Sequence, residues 1–299
     1  MNCFLLDKID AVENGILATI LSTEGHTYKK RGSKALYAAG NPHAFHGNLG
    51  SLCVDQDITR AGEEAAREGT PRVITVDTSS EEDAELGYGT YCGGKMELLL
   101  EPIGDAQREI YRQLRPRLSG SEATWLVHNL TSGALTLETT SPKAKDGALV
   151  EKIQPLRRLF LFGATPLATS IIRVLNDSSF DVHVVDWRTD LLERCRNTEG
   201  VTAHEDDVPF EEGSAVLLLS HSFHRDKAAL RNAIEAGASW IGMLSSRKRR
   251  DRMFEELVSE GVNKNALERV SSPAGIDIGA VSDAEIAVSI VAELIRSVH

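Results

Sequence analysis

The chain has 299 residues, enough for two domains that each bury a core, and its 41% hydrophobic and 26% charged content excludes disordered and collagen-like classes. A formal charge of −11 at pH 7 excludes the basic footprint of a nucleic-acid surface. Residues 1–21 carry neither a basic start nor a long apolar run, so neither export nor a membrane span is predicted. Four cysteines without regular spacing give no disulfide framework and no structural zinc set, and a cytoplasmic protein with reduced thiols is expected.

In chain order, Ile16–Ser22 and Arg72–Asp77 read as strands from their β-branched content. Between them Cys53–Glu68 reads as a helix, with Val54, Ile58, Ala61 and Ala65 on one face. Lys95–Glu101 is a further strand. Gln107–Leu118 is a helix that Pro116 should end early. Trp125–Asn129 and Ala134–Thr139 form a hairpin around Thr131-Ser132-Gly133. This irregular mixture predicts an N-terminal mixed α/β domain over residues 1–140. Ser141–Pro155, rich in Lys, Glu, Gly and Pro, reads as a linker.

Residues 156–299 are more regular. Strands Arg158–Gly163, Phe180–Asp186, Ala215–Ser220 and Trp240–Leu244 alternate with helices Pro166–Asn176, Thr189–Arg196, Asp226–Ala236 and Arg247–Glu260. A last helix starts at Asp283, where Ser282 and Glu285 form a capping box. The fold class is α/β, and the alternation predicts a Rossmann-like domain with a parallel sheet. Ligands of such sheets sit beyond the carboxyl ends of the strands, which directs attention to the residues following each one.

Gly163-Ala-Thr-Pro-Leu-Ala168 stands where a dinucleotide fingerprint would, and Asp186 ends the next strand at the distance of a ribose partner. Thr165 and Ala168 replace two of the fingerprint glycines, and Pro166 removes an N–H, so a Rossmann-type domain without a dinucleotide competes with an NAD(P) site. Ser220-His-Ser-Phe-His-Arg-Asp226 offers two imidazoles and a carboxylate for proton relay or metal binding, unless Asp226 only caps its helix. Ser245-Ser-Arg-Lys-Arg-Arg250 puts four cations in the first turn of a helix, against its dipole. Ser245, Ser246 and Arg247 there would make a phosphate cradle, with Arg249 and Arg250 on a solvated face.

The N-terminal half has its own basic loop, Thr23 to Lys34, which suggests another anionic contact or a solvated turn. Cys53 starts a helix, whose dipole lowers a thiol pKa. Cys92 lies in the glycine-rich stretch Gly87–Gly94, whose backbone can approach a ligand closely. A buried, inert thiol is the competing reading for each.

These segments together resemble the xanthine dehydrogenase accessory family, XdhC/CoxI, over nearly the whole chain. The resemblance is carried by Thr23-Glu-Gly25 with Lys29, Gly32 and Lys34, by Gly47–Asp55, and by Cys92-Gly93-Gly94 with Leu98–Pro102. Val185-Asp-Trp-Arg188, Ser220-His221, His224, Asp226 and Ile241–Arg247 follow in order. So do Pro273–Gly279 and Glu285–Ser289. Ser51, Leu52 and Tyr28 depart from the family pattern. The resemblance implies a two-domain maturation factor for molybdenum hydroxylases. Such a factor binds the molybdenum cofactor, protects it during sulfuration and delivers it to a xanthine dehydrogenase-type enzyme. It also implies association with a cysteine desulfurase and a homodimer, and no catalytic residues of its own. Cys92 and Cys53 are then expected near the metal or the transferred sulfur, with Cys92 as the metal ligand and Gly93 and Gly94 beside it. Ser246 and Arg247 are expected on the phosphate, and Asp186, Arg188, His221, His224, Asp226 and Asp277 along the cleft. The alternative is an NAD(P)-dependent oxidoreductase using Asp186 for the ribose and His221 or His224 as proton donor. A third reading is an interaction module that bridges partners without a ligand.

Overall fold

The computed structural model describes residues 3–39, 41–49, 52–77, 94–143, 146–175, 178–196, 198, 200–205 and 208–298. Two compact units divide the chain, Met1–Pro155 and Leu156–His299.

In the first unit, helix α1 (Cys3–Ala11) precedes strands β1 (Gly15–Gly25), β2 (Lys34–Ala38) and β3 (Asn41–His46). Helix α2 (Leu52–Glu68), strands β4 (Arg72–Asp77) and β5 (Gly94–Ile103) and helix α3 (Asp105–Leu118) follow. The five strands form an antiparallel sheet of order β3-β2-β1-β5-β4. Its core side gathers Ile16, Ala18, Ile20, Tyr37, Met96, Leu98 and Leu100, the alternate positions of β1, β2 and β5, around Ile58 of α2. A second, three-stranded sheet joins β6 (Thr124–Asn129), β7 (Leu135–Glu138) and β8 (Ala148–Ile153) in the order β7-β6-β8.

Two sequence expectations are corrected here. Pro116 lies inside α3 rather than ending it. It sits two residues before the helix ends, so it removes one bond, that to the Arg112 carbonyl, and leaves the earlier turns intact. The stretch 141–155, expected as a linker, contains β8, which pairs antiparallel with β6. Its four half-buried residues Ala148–Glu151 alternate too weakly to announce a strand.

In the second unit, β9 (Arg157–Phe162), α4 (Pro166–Leu175), β10 (Phe180–Val185), α5 (Thr189–Arg196) and β11 (Val201–His204) come first. β12 (Ala215–Leu218), α6 (Phe223–Glu235), β13 (Trp240–Met243), α7 (Arg247–Ser259), α8 (Lys264–Glu268) and α9 (Asp283–Val298) complete it. All five strands are parallel, in the order β11-β10-β9-β12-β13. Both faces are covered, which is why β12 and β13 are apolar throughout. The edge strand β11, Val-Thr-Ala-His, is half-buried and is not expected from the sequence. Leu159, Leu161, Val182 and Val184 pack under α4 and α9, and Phe160, Phe162, Val216 and Leu218 under α6 and α7. The chain order reverses direction between β9 and β12, so the switch point of this sheet lies at the ends of those two strands. No helix among the described residues is long and apolar enough to cross a membrane.

Candidate functional site

The carboxyl edge of the parallel sheet is built from four short loops. After β9 the chain turns at Gly163, whose φ of +124° lies in the region open to glycine. A Cβ there would lie 2.7 Å from the Ser220 nitrogen, so the loop after β12 packs directly on this glycine. Thr165 Oγ1 accepts the Ala168 N–H at 3.3 Å, and Pro166 is the first residue of α4. The N-terminus of α4 is thus capped by its own chain, with one N–H removed by proline and another taken by threonine. A pyrophosphate, which a Rossmann fold holds at this helix end, meets few donors.

Asp186 follows β10 and is buried. Its Oδ2 accepts from the Ala164 N–H at 2.7 Å and from Arg188 Nη2 at 2.7 Å. Its Oδ1 accepts from the Arg188 N–H and Nε, both at 2.9 Å. Burial works to raise this carboxyl, but the Arg188 side chain and the two backbone N–H groups hold it below the usual carboxylate range. The oxygens a ribose would need are therefore occupied within the protein. Next to this pair, the Trp187 ring lies 4.6 Å from the Arg188 guanidinium and 4.2 Å from that of Arg225, both at cation–π distance.

Beyond β12, Ser220 Oγ donates to Asp226 Oδ1 at 2.5 Å and accepts the Ser222 N–H at 3.1 Å. Arg249 Nη2 donates to Asp226 Oδ2 at 2.7 Å, and its Nη1 to the His221 carbonyl at 3.1 Å. Burial pushes the Asp226 carboxyl up, against the pull of Ser220 and Arg249. Asp226 is not a helix cap. α6 begins at Phe223, three residues before it, and Asp226 instead clamps the first turn of α7 to the loop after β12. His221 carries a left-handed backbone at φ +61° and is exposed, and His224 is exposed in the first turn of α6. A non-glycine residue at positive φ costs roughly 1 kcal/mol or more, and the Arg249 guanidinium donates to its carbonyl.

At the end of β13, Ser246 caps α7 by accepting the Arg249 N–H at 3.3 Å. Arg247 and Lys248 are exposed and make no ion pair among the described residues. The basic run is therefore divided differently from the sequence expectation. Arg249 turns inward to Asp226, and Arg250 donates to the Ser272 carbonyl at 3.1 Å and pairs with Asp251. Within this run the free cations are Arg247 and Lys248.

Asp277 is exposed in the loop before α9, where its Oδ1 accepts the Gly279 N–H at 3.3 Å. Glu285 forms the expected capping box with Ser282, accepting the Val281 and Ser282 N–H groups at 2.8 Å. Two residues of α9 have a role the sequence reading does not assign: Glu293, absent from it, and Ser289, named there only as the end of a resemblance segment. Glu293 accepts from Ser271 Oγ and the Gly275 N–H, and Ser289 donates to the Ile276 carbonyl, all at 2.5 Å. Together they tie the Pro273–Gly279 loop to the helix. The loop's Gly275, at φ +114°, leaves no room for a side chain against Ser289 Oγ. In the sequence only the glycine itself marks this close approach.

In the first unit, Cys92 and Gly93 lie outside the described residues. Cys53 is in the first turn of α2, two residues from Asp55, which accepts from Tyr37 Oη at 2.8 Å. Gly94 opens β5 opposite Gly25, and a Cβ on it would lie 2.4 Å from the His26 carbonyl. The chain leaving the Cys-Gly-Gly segment thus runs against the basic loop. That loop exposes Tyr28, with the Lys29 ammonium 5.3 Å from its ring. Lys34 does not belong to the exposed cluster. Its side chain is 2% exposed and pairs with Glu151 at 2.8 Å. Among the described residues no group of three His, Cys, Asp or Glu side chains is placed to hold a metal ion.

Known proteins sort the chain in the same way. The profile of the XdhC Rossmann domain matches residues 159–294, and that of the XdhC and CoxI family matches residues 9–77. A Bacillus subtilis protein named as a probable xanthine dehydrogenase subunit is 26% identical, over 95% of this chain and 93% of its own length. The uncharacterized protein YqeB of Escherichia coli is 27% identical over 46% of this chain and 27% of its own length. A crystal structure from Bacillus halodurans, described as a xanthine dehydrogenase, shares the fold. Its TM-score is 0.80 at 24% identity, covering 99% of this chain and 95% of that one. The chain belongs to the XdhC and CoxI family, with an XdhC Rossmann domain as its second unit.

Proposed function

We propose that this chain is a cytoplasmic accessory factor that binds the molybdenum cofactor, protects it during sulfuration and delivers it to a xanthine dehydrogenase-type enzyme. The observation that carries the reading is the state of the carboxyl edge. Its ribose acceptor, Asp186, is saturated by Arg188 and Ala164, and the N-terminus of α4 is capped by Thr165. The neighbouring start of α7 presents Ser246, Arg247 and Lys248. The edge suits a compact phosphate-bearing anion better than a dinucleotide.

The donor set fits such a group. Arg247, Lys248 and Ser246 would hold the phosphate, with His221, His224 and Asp277 on the same edge of the sheet. In the first unit the family resemblance assigns Cys92, with Gly93 and Gly94, and Cys53 to the metal and its sulfur. The cofactor supplies the metal and the terminal sulfur, while the chain binds, orients and shields them from water. Kinship to a protein named for a xanthine dehydrogenase supports a dehydrogenase as client. A cysteine desulfurase as sulfur donor and a homodimer complete the proposal.

Anaerobic purification with a source of molybdenum cofactor tests it, by molybdenum content and the fluorescence of the oxidised pterin. Stoichiometric retention is expected, with loss in Cys92→Ala and in the double variant Arg247→Ala, Lys248→Ala. No retention together with saturable NAD(P)H binding would overturn the proposal in favour of the oxidoreductase.

A further inference from the structure

The first unit buries four charged groups between its two sheets, away from the edge loops. Lys34, the first residue of β2, donates to Thr19 Oγ1 at 2.9 Å and pairs with Glu151 of β8 at 2.8 Å. His128 of β6 lies 3.4 Å from the same Glu151 oxygen through Nε2 and 2.7 Å from Glu101 of β5 through Nδ1. The Tyr111 hydroxyl of α3 feels both carboxylates. The side chains of His128, Glu101 and Glu151 are 0, 3 and 18% exposed. With His128 protonated, two cations meet two anions. With His128 neutral, one negative charge is left over in a site where water cannot screen it.

Position gives this balance a consequence. Glu101 and Lys34 belong to the five-stranded sheet, and His128 and Glu151 to the three-stranded one. Lys34 is also where the basic loop of residues 26–33 rejoins the sheet. The cluster therefore joins the two sheets at the foot of that loop.

We propose that the Lys34–Glu151–His128–Glu101 cluster is a proton-dependent clamp: protonated His128 locks the two sheets together under the basic loop, and loss of the proton loosens them. The titratable and charged groups around the imidazole, among the described residues, are Glu101 from β5, Glu151 from β8, Lys34 from β2 and Tyr111 from α3. Burial opposes a charged His128, while the hydrogen bond to Glu101 and the Glu151 carboxylate 3.4 Å away favour it, with the net direction upward from the ordinary 6.5. A folded pKa raised above the unfolded one gives stability that is complete below 6.5 and is lost as pH rises through the folded pKa. The clamp therefore holds while His128 is protonated and slackens as pH rises past its folded pKa. It operates whether or not the chain carries a cofactor.

Two measurements on the full chain test it. The His128 ring resonance, identified by its disappearance in His128→Gln, should titrate above 6.5. Amide protection in β1, β2 and β6, corrected for intrinsic exchange, should fall by up to about tenfold per pH unit from the unfolded pKa to the folded one. Glu101→Gln keeps the shape but removes the anion on Nδ1, so it should lower the His128 pKa and move the fall to lower pH. This second variant serves if His128→Gln does not fold. A His128 pKa at or below 6.5, protection that stays flat as pH rises through the measured His128 pKa, or a Glu101→Gln profile identical to wild type would overturn the proposal.

Discussion

Both units fix their loops with buried charges, but they expose them differently. At the carboxyl edge of the parallel sheet the two arginine-paired carboxylates are buried and their guanidinium groups half-open. Asp186 and Arg188 are 0 and 31% exposed, and Asp226 and Arg249 are 4 and 27%. In the first unit both members of the Lys34–Glu151 pair are enclosed, at 2 and 18%. The edge pairs can relax into water when a partner is lost, and they leave further cations free to meet a ligand. The enclosed cluster has no such outlet. It is a structural joint, while the edge is a receptor surface.

The largest effect should come from the joint. Glu151→Gln leaves the Lys34 ammonium and His128 facing Glu101 alone, and we expect a loss of about 3–4 kcal/mol, the range for stranding a buried charge. Urea unfolding followed by a probe in the first unit measures it. A loss under about 1 kcal/mol, the size of a surface pair, would erase the contrast between the regions. The acid limb gives a second check. Burial raises the Glu151 carboxyl and Lys34 and His128 pull it down further, to about 2, from an ordinary 4.5. A depressed folded pKa means stability present above 4.5 and lost as pH falls from there toward 2. That limb should flatten in the variant.

Asp226→Asn should cost less, about 2 kcal/mol, because Arg249 can turn partly to solvent although the Ser220 bond is weakened. The local signature matters more than the total. Arg249 would no longer be held on the His221 carbonyl, so exchange at the amides of 221–223 should rise before the unit unfolds. Unchanged exchange there would show that the strained His221 backbone is held by something other than the Asp226–Arg249 bridge.

How much of this was legible in the sequence follows from the same contrast. Four of the five parallel strands are readable because both faces of the sheet are covered, so their centres are apolar and each is closed by a turn residue. The edge strand β11, Val-Thr-Ala-His and only half-buried, carries no such signal and has no counterpart in the sequence reading. The edge residues were named for the same reason, since such loops are where ligands bind. Their division of labour was not read, although one clue was present. Arg249 stands four and eight residues before the buried Met253 and Leu257, on the inward face of α7, while Arg247 does not. The joint in the first unit was invisible. Its four residues come from four strands, and β8 itself reads as a linker in the sequence, so no local pattern brings Lys34, Glu101, His128 and Glu151 together. Ion pairs between distant strands depend on register, which a single sequence does not fix.

The smallest expected effect separates structure from recognition at Ser246. Its hydroxyl accepts the Arg249 N–H and so caps α7, and it also sits among the cations assigned to the phosphate. Ser246→Ala should cost about 1 kcal/mol and Ser246→Gly only a few tenths, since glycine serves nearly as well at an N-cap. If Ser246 is a cap alone, pterin retention should follow stability, with Gly close to wild type and Ala lower. If the hydroxyl also meets the phosphate, both variants should lose retention equally despite their different stabilities. Equal loss is the outcome expected here, because Ser246 is exposed beside Arg247 and the cap uses only one of its two lone pairs.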